Sequence, residues 1–229
     1  MESKLLFFIP HYLPGYKAGG PITSVSNLAT FLGKKADIYI ITQDRDLNDD
    51  EPYANIQINR YIQCNTAKVK YLSPSTFSFY KILKEILNCQ PKLIYLNSLF
   101  SWKFSIQIIL MRWLKLFSCK RLILAPRGEL STGALGIKKV KKKLFLYTAN
   151  FLQLYKNVSW QATSLIEFED IRNTFDKKTN IIFAPNLPRV FVQTKARVKE
   201  KKTDELQGCG ASEARMIKLT TTETWVSSV

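Results

Sequence analysis

The feature that most constrains this chain is an alternation of short apolar runs with longer stretches of helical periodicity. Leu5–Ile9, Leu93–Leu96 and Arg121–Ala125 have the character of strands that are buried on both faces. Between such runs, apolar residues recur every three or four positions, as on one face of a helix. Strands that alternate with helices in this way favour an α/β fold with a doubly wound, mostly parallel sheet.

The same patterns predict the position of each element along the chain. Strands are predicted at 5–9, 37–42, 56–64, 69–72, 93–96, 121–125, 160–162 and 180–184, and helices at 22–32, 76–88, 101–117, 137–155 and 164–175. Thr23 or Ser24 would cap the first helix and Ser75 the second. The helix at 137–155 would turn Leu144, Leu146, Tyr147 and Phe151 toward the core.

Right-handed crossovers place the loops that follow the strands along one edge of such a sheet, where ligands bind. We therefore expect functional residues in the loops 10–21, 43–55, 97–101, 126–136 and 185–188. The first loop holds His11, the only histidine, and the pair Gly19-Gly20 ahead of a helix. The glycines would allow a phosphate or sugar to approach a positive helix end. A plain tight turn, and a structural histidine, are the alternative interpretations.

Four motifs follow one another in this framework. They are Gly19-Gly20-Pro21, the Pro126-Arg127-Gly128-Glu129 block with lysines after it, Ala162-Thr163-Ser164 with Glu167, and Pro185-Asn186. In this order, over about residues 4–190, they resemble the acceptor-side domain of the GT-B glycosyltransferases of the large retaining family four. Ser164 and Glu167 also have the spacing of a helix capping box.

The resemblance implies that residues 1–190 form one Rossmann-like half of a GT-B enzyme, which holds the acceptor while a second domain holds a nucleotide sugar. The implied reaction transfers a sugar to a lipid-linked or polysaccharide acceptor in cell-surface polysaccharide synthesis, with no metal and no cofactor beyond the nucleotide-sugar co-substrate. Asn97 and Glu129 are then the candidate catalytic residues, and Gly19, Gly20, Arg127 and His11 the candidate substrate-binding residues. Many relatives carry histidine where this chain has Asn97, and an amide cannot act as a general base near neutral pH.

The pattern changes after residue 190. Residues 191–206 are expected to form a charged linker, and 207–229, which have no amphipathic period, a disordered or aberrant tail. No donor domain follows, which suggests a frameshift near Leu206. Half a cleft cannot position donor and acceptor together, so we expect this chain alone to be inactive. A non-catalytic remnant or binding domain is the alternative.

The positive charge is concentrated in one segment. Of the net charge of +16, residues 112–143 carry +9, with ten basic residues and one acidic residue. Such a patch points to an anionic partner, although a solvated helix face is an equal alternative. Its densest part contains five lysines, which are Lys138, Lys139, Lys141, Lys142 and Lys143.

A nucleic-acid-binding module is a further alternative, but no motif supports it, and no nucleic acid is expected as partner.

The apolar N-terminal run Leu5–Pro10 is shorter than a signal-peptide core, and no stretch is as long and apolar as a membrane span. The four cysteines, Cys64, Cys89, Cys119 and Cys209, are far apart and show no CxxC spacing, which favours reduced, buried thiols in a cytosolic protein. The expected location is cytoplasmic. With the lysines facing anionic lipid, the protein would be peripheral at the inner face of the plasma membrane.

Overall fold

The computed structural model describes residues 3–136, 139–175 and 178–188. Within these ranges the strands are β1 Ser3–Phe8, β2 Ala36–Gln43, β3 Tyr61–Cys64, β4 Ala67–Leu72, β5 Leu93–Asn97, β6 Arg121–Ala125, β7 Ser159–Ala162 and β8 Asn180–Phe183. The helices are α1 Gly20–Leu32, α2 Phe79–Cys89, α3 Gln107–Trp113, α4 Thr132–Gly136, α5 Lys139–Phe151 and α6 Leu165–Thr174, with a π-helical turn, Trp102–Ile106, ahead of α3.

All eight described strands belong to one sheet, in the order β3-β4-β2-β1-β5-β6-β7-β8. Every neighbouring pair is parallel except β3 and β4. The chain builds outward from β1 to one side, then crosses over and builds outward from β5 to the other. The predicted α/β fold with a mostly parallel, Rossmann-like sheet is thus confirmed, and its topological switch point lies between β1 and β5.

The continuous apolar run of β1 is explained by burial on both faces of the sheet. Leu6 and Phe8 belong to the core on one face, and Leu5 and Phe7 to the core on the other. Helix α1 packs on the second face, whereas α2, α3, α5 and α6 all contribute to the first. Because helices cover both faces, no strand in the middle of the sheet needs a polar side.

Two predicted helix caps are wrong. Helix α1 begins at Gly20 and has Gly19 at its N-cap, so neither Thr23 nor Ser24 caps it; the Ser24 hydroxyl instead donates to the Gly20 carbonyl at 2.9 Å. Helix α2 begins at Phe79, and its cap is Ser78, whose Oγ accepts from the Lys81 amide at 3.2 Å. The predicted cap Ser75 lies in a preceding turn, where its hydroxyl is 3.1 Å from that of Ser73.

The bounds of other elements also differ from prediction. The strand expected at 56–64 is limited to β3, an edge strand, and the loop expected at 126–136 contains the short helix α4. The helix expected at 101–117 starts with the π-helical turn and ends at Trp113, where the chain turns through Lys115 at φ 58°. None of the described helices is both long and apolar enough to cross a bilayer.

The orientation predicted for the basic helix is correct only for Leu146. That residue is buried in α5, but Leu144, Tyr147 and Phe151 are exposed. Phe145 and Ala149 join Leu146 against the core instead. The reason is that α5 carries apolar residues on two opposite sides, and periodicity alone does not say which side faces the sheet. Lys138, the linker at 191–206 and the tail at 207–229 lie outside the described residues.

Candidate functional site

A cavity of about 250 Å³ opens at the carboxyl end of the sheet, beside the switch point between β1 and β5. The residues that line it come from the loops after β1, β5 and β6: Ile9, Pro10, His11, Ala18, Pro21, Asn97, Ser98, Arg127 and Glu129. The structure thus brings together four of the predicted site residues. Gly19 and Gly20 lie between two of the lining residues. This is the position at which open α/β sheets bind ligands.

The side chain of Arg127 is fixed by three hydrogen bonds. Its Nε donates to Asn97 Oδ1 at 2.6 Å, Nη1 to Asn186 Oδ1 at 2.5 Å, and Nη2 to the Tyr95 hydroxyl at 2.8 Å. A guanidinium has five N–H groups, so these bonds leave two without an acceptor among the described residues. The positive charge of Arg127 is therefore held at the cavity with donors that a ligand can use.

The Tyr95 hydroxyl that accepts from Arg127 belongs to a buried series of hydrogen bonds. The Tyr95 hydroxyl donates to Gln161 Oε1 at 2.7 Å, and Gln161 Nε2 donates to the Ala184 carbonyl at 2.7 Å. Tyr95 and Gln161 are both almost fully buried. Burial raises the pKa of the Tyr95 phenol, although the charge of Arg127 opposes the shift, so the phenol remains a neutral donor. The network links β5 and β7 to the segment after β8 and orients Arg127 in advance of binding.

Glu129 holds the loop that follows β5. Its Oε1 accepts from the Ser98 hydroxyl at 2.8 Å, and its Oε2 accepts from the amides of Leu99 at 2.5 Å and Phe100 at 3.0 Å. Ser98 has φ 116°, a conformation that L residues rarely adopt and that needs external support. The contacts of this carboxylate are those of a group that positions Ser98 and the two residues after it. Its catalytic role remains a prediction.

Glu167 holds the Pro-Arg-Gly-Glu block from the opposite side. Its Oε1 accepts from the Gly128 amide at 2.8 Å, and its Oε2 accepts from the amide and hydroxyl of Thr163 at 2.7 and 2.6 Å. Half of the predicted capping box is present, because Ser164 Oγ accepts from the Glu167 amide at 3.2 Å. The other half is wrong, since the carboxylate binds Thr163 and Gly128 in place of the Ser164 amide.

His11 is half-buried at the mouth of the cavity. Its Nδ1 lies 2.9 Å from Gln43 Nε2 and 3.4 Å from the Arg45 carbonyl. Burial lowers the pKa of His11, against the opposing effects of the Arg45 carbonyl and the charge of Asp46. The imidazole is therefore neutral near pH 7 and can exchange hydrogen bonds with a hydroxyl.

The glycine-rich loop is anchored by Asp46. This buried carboxylate accepts from the amides of Tyr16 at 2.7 Å, Lys17 at 3.0 Å and Leu47 at 2.8 Å. Burial acts to raise the pKa of Asp46, but the three amides outweigh it and the pKa is lowered. The loop is thereby fixed in front of α1.

The glycines of this loop differ in how closely they are packed. A Cβ on Gly15 would lie 2.2 Å from the Tyr53 hydroxyl and 2.9 Å from the Tyr12 carbonyl, so no side chain fits there. At Gly19 and Gly20 a Cβ would meet nothing within 4 Å, and Gly19 has φ 61°. The loop is therefore tightly packed at Gly15 and open to an approaching ligand at Gly19 and Gly20.

Sequence reasoning missed several residues that build the site. Gln161 is recognisable, because it is a polar residue inside a short apolar strand, and such residues usually have a buried partner. Tyr95 gives no signal, since a strand can bury a tyrosine for its ring alone. Asp46 gives none either, because it stands among other aspartates in an acidic loop.

Within the described ranges, no group of three or more His, Cys, Asp or Glu side chains is arranged to hold a metal ion. The chain matches no protein-family model and no curated protein. What the site can bind must therefore be argued from its own groups: one fixed guanidinium, neutral amide and imidazole groups, and an open glycine pair at a helix N-terminus.

Proposed function

We propose that this chain is the acceptor-side domain of a GT-B retaining glycosyltransferase that transfers a sugar from a nucleotide sugar to a lipid-linked or polysaccharide acceptor. The observation that carries the proposal is the fixing of Arg127 by Asn97, Tyr95 and Asn186 at the switch point of the sheet. A guanidinium that is held in this way, and that keeps two N–H groups for a ligand, can bind a phosphate group or a cluster of hydroxyls.

The neutral groups around the cavity suit a glycan. Asn97 Oδ1 is used by Arg127, which leaves the amide nitrogen to donate to a sugar oxygen. His11, neutral and half-buried, also lines the cavity and can bind a sugar hydroxyl there. Sugars present many hydroxyls in fixed directions, so a rigid set of neutral donors and acceptors recognises them well.

A phosphate on the acceptor has two features to bind. One is the guanidinium of Arg127, and the other is the positive end of α1, where Gly19 and Gly20 leave open space. Pro21 has no N–H and the Ile22 amide donates to the Gly19 carbonyl at 3.1 Å, so the amide offered to a ligand there is that of Gly20. Both lie at one cavity, since Ala18, Pro21 and Arg127 all line it. A sugar joined to a lipid through a diphosphate combines the hydroxyls and the anion that these groups fit.

In such an enzyme, this domain positions the acceptor, and the charge that develops on the leaving diphosphate is stabilised from the donor side. Acceptor binding is therefore the function to test. We suggest calorimetric titration with a water-soluble short-prenyl diphosphate sugar, with inorganic pyrophosphate and the free sugar as separate arms. We expect the conjugate to bind more tightly than either part.

The Arg127→Gln variant should weaken binding of the conjugate by about tenfold or more, because a charge-assisted contact is lost. Arg172→Gln is the matched control, since Arg172 is an exposed arginine on α6. Equal binding by wild type and Arg127→Gln, with both folded by circular dichroism, would overturn the proposal. So would an absence of binding by the folded wild type.

A further inference from the structure

Helix α5 presents a second apolar face to solvent. Val140, Leu144, Tyr147 and Phe151, here named the outer stripe, recur at helical spacing and are 79, 62, 72 and 79% exposed. On the opposite side of the helix, Phe145, Leu146 and Ala149 pack against the core. Core packing therefore accounts for one apolar side of α5 and leaves the other without a function in the fold.

The C-terminal end of α5 contacts the end of α3. Trp113 Nε1 donates to the Leu152 carbonyl at 3.0 Å, and Arg112 Nη2 donates to the Asn157 carbonyl at 3.2 Å, so the two helix ends are joined. Several large apolar residues at this junction are also exposed, namely Trp113, Leu114, Leu116 and Leu152. The outer stripe and the exposed apolar residues of this junction, which begins at the residue after Phe151, are here called the patch.

The surroundings of the patch are positive. Helix α5 contains no acidic residue, and Lys141 and Lys143 are exposed on either side of the outer stripe by helical geometry. From residue 112 to residue 158 the chain has eleven basic residues and one acidic residue, Glu129. The Glu129 carboxylate accepts three hydrogen bonds at the cavity and does not face the patch.

We propose that this surface docks the protein onto an anionic lipid bilayer, with the outer stripe in the boundary between headgroups and acyl chains and the lysines at the lipid phosphates. An exposed apolar stripe between lysines is the arrangement by which a helix lies in a membrane interface. A second copy of the chain fits less well, because a symmetric dimer through this face would bring two strongly basic segments together.

Helix α5 also contacts the elements that build the candidate site, on the side opposite the outer stripe. Lys142 Nζ donates to the Ala134 carbonyl at 2.7 Å and lies 4.8 Å from the ring centroid of Phe100. Phe100 in turn donates its amide to Glu129 in the cavity wall. The lysine end of α5 is thus two contacts from the cavity. Membrane docking does not depend on the proposed transferase function.

The test is sedimentation of the full chain with vesicles of phosphatidylcholine alone or mixed with phosphatidylglycerol, at low and physiological salt. We expect binding to the mixed vesicles only, weakening as salt rises. Tyr147→Ser combined with Phe151→Ser should reduce binding by about tenfold or more, through lost apolar burial. Lys141→Ala combined with Lys143→Ala should also reduce it, by about fivefold per lysine at low salt.

The matched control is Leu165→Ser combined with Ile166→Ser. These residues of α6 are 72 and 75% exposed, as exposed as the outer stripe, but the helix also carries Glu167, Glu169 and Asp170. This variant should bind vesicles like the wild type. An equal loss in the control, or no binding of the folded wild type to mixed vesicles, would overturn the proposal.

Two other occupants of the surface are distinguishable from a bilayer. Concentration-dependent dimerisation that the Tyr147 and Phe151 substitutions abolish, without vesicle binding, would assign the face to a second copy. Binding to duplex DNA or RNA that requires Lys141 and Lys143 but not Tyr147 and Phe151 would assign it to nucleic acid. Either result would overturn the proposal. None of these outcomes depends on whether the cavity binds a sugar.

Discussion

The guanidinium Nε of Arg127 lies 2.6 Å from the side-chain oxygen of Asn97, and this contact joins the ends of two neighbouring strands at the mouth of the cavity. Asn97 is 2% exposed, so its amide is oriented by protein groups and not by solvent. The two residues act as one unit. A substitution at either residue should therefore change the orientation of the other side chain.

Replacing Asn97 with alanine should destabilise the fold by about 1–3 kcal/mol, because Arg127 loses the acceptor that the buried Asn97 side chain provides. The free energy of unfolding, measured with urea, would show it. Asn97→Asp keeps an oxygen in the same place and should restore the contact with Arg127. If the alanine variant were as stable as the wild type, the bond would contribute nothing to the fold.

Glu167→Gln should also lower stability by about 1–3 kcal/mol, since one carboxylate accepts from Gly128 and twice from Thr163. Glu169→Gln, on the exposed side of the same helix, is the control and should stay within about 0.5 kcal/mol of the wild type. Similar unfolding energies for the two variants would show that Glu167 does not hold the loop.

Gly15→Ala should destabilise the protein by about 1–3 kcal/mol, because the new Cβ would overlap the Tyr53 hydroxyl and the Tyr12 carbonyl. Gly20→Ala, at the first residue of α1, is the matched change. A Cβ there meets nothing within 4 Å, so its stability should be close to wild type. Thermal unfolding of both variants tests the difference, and equal melting temperatures would contradict the packing at Gly15.

The lowered pKa of Asp46 gives a dependence of stability on pH. A carboxyl whose pKa is lower in the folded than in the unfolded state contributes stability that is present above the unfolded pKa and is lost as the pH falls through the folded value. The wild type should therefore exceed Asp46→Asn in unfolding free energy at neutral pH. The difference should shrink on acidification below the ordinary pKa of aspartate. A difference that stays constant with pH would contradict this.

Much of the architecture follows from the sequence because continuous apolar runs such as Leu5–Ile9 have no stable place except a sheet covered on both faces. That topology also brings His11, Asn97, Arg127 and Glu129 to one edge, although they are far apart in the chain. The position of the site could therefore be predicted without knowledge of any side-chain contact.

Helix caps, the buried side of α5 and the side-chain partners of Arg127 could not be predicted, because more than one arrangement is compatible with the same sequence pattern. The sequence offers many hydroxyls near the start of α2, and only the backbone decides that Ser78 is the cap. In α5, Leu144 and Leu146 lie on opposite sides, and either could face the core. The partners of Arg127 depend on strand order, which brings Tyr95 and Gln161 together across the sheet.

The most direct test of the proposed acceptor site uses His11, which is the only histidine and gives a single imidazole signal in NMR spectra. Without ligand, its pKa should lie below the usual value of about 6.5, because burial disfavours the charged ring. On titration with the short-prenyl diphosphate sugar, the signal should shift to saturation in the wild type and hardly move in Arg127→Gln at the same concentrations. An imidazole that does not respond in the wild type, or that responds equally in both proteins, would contradict a binding site built around Arg127.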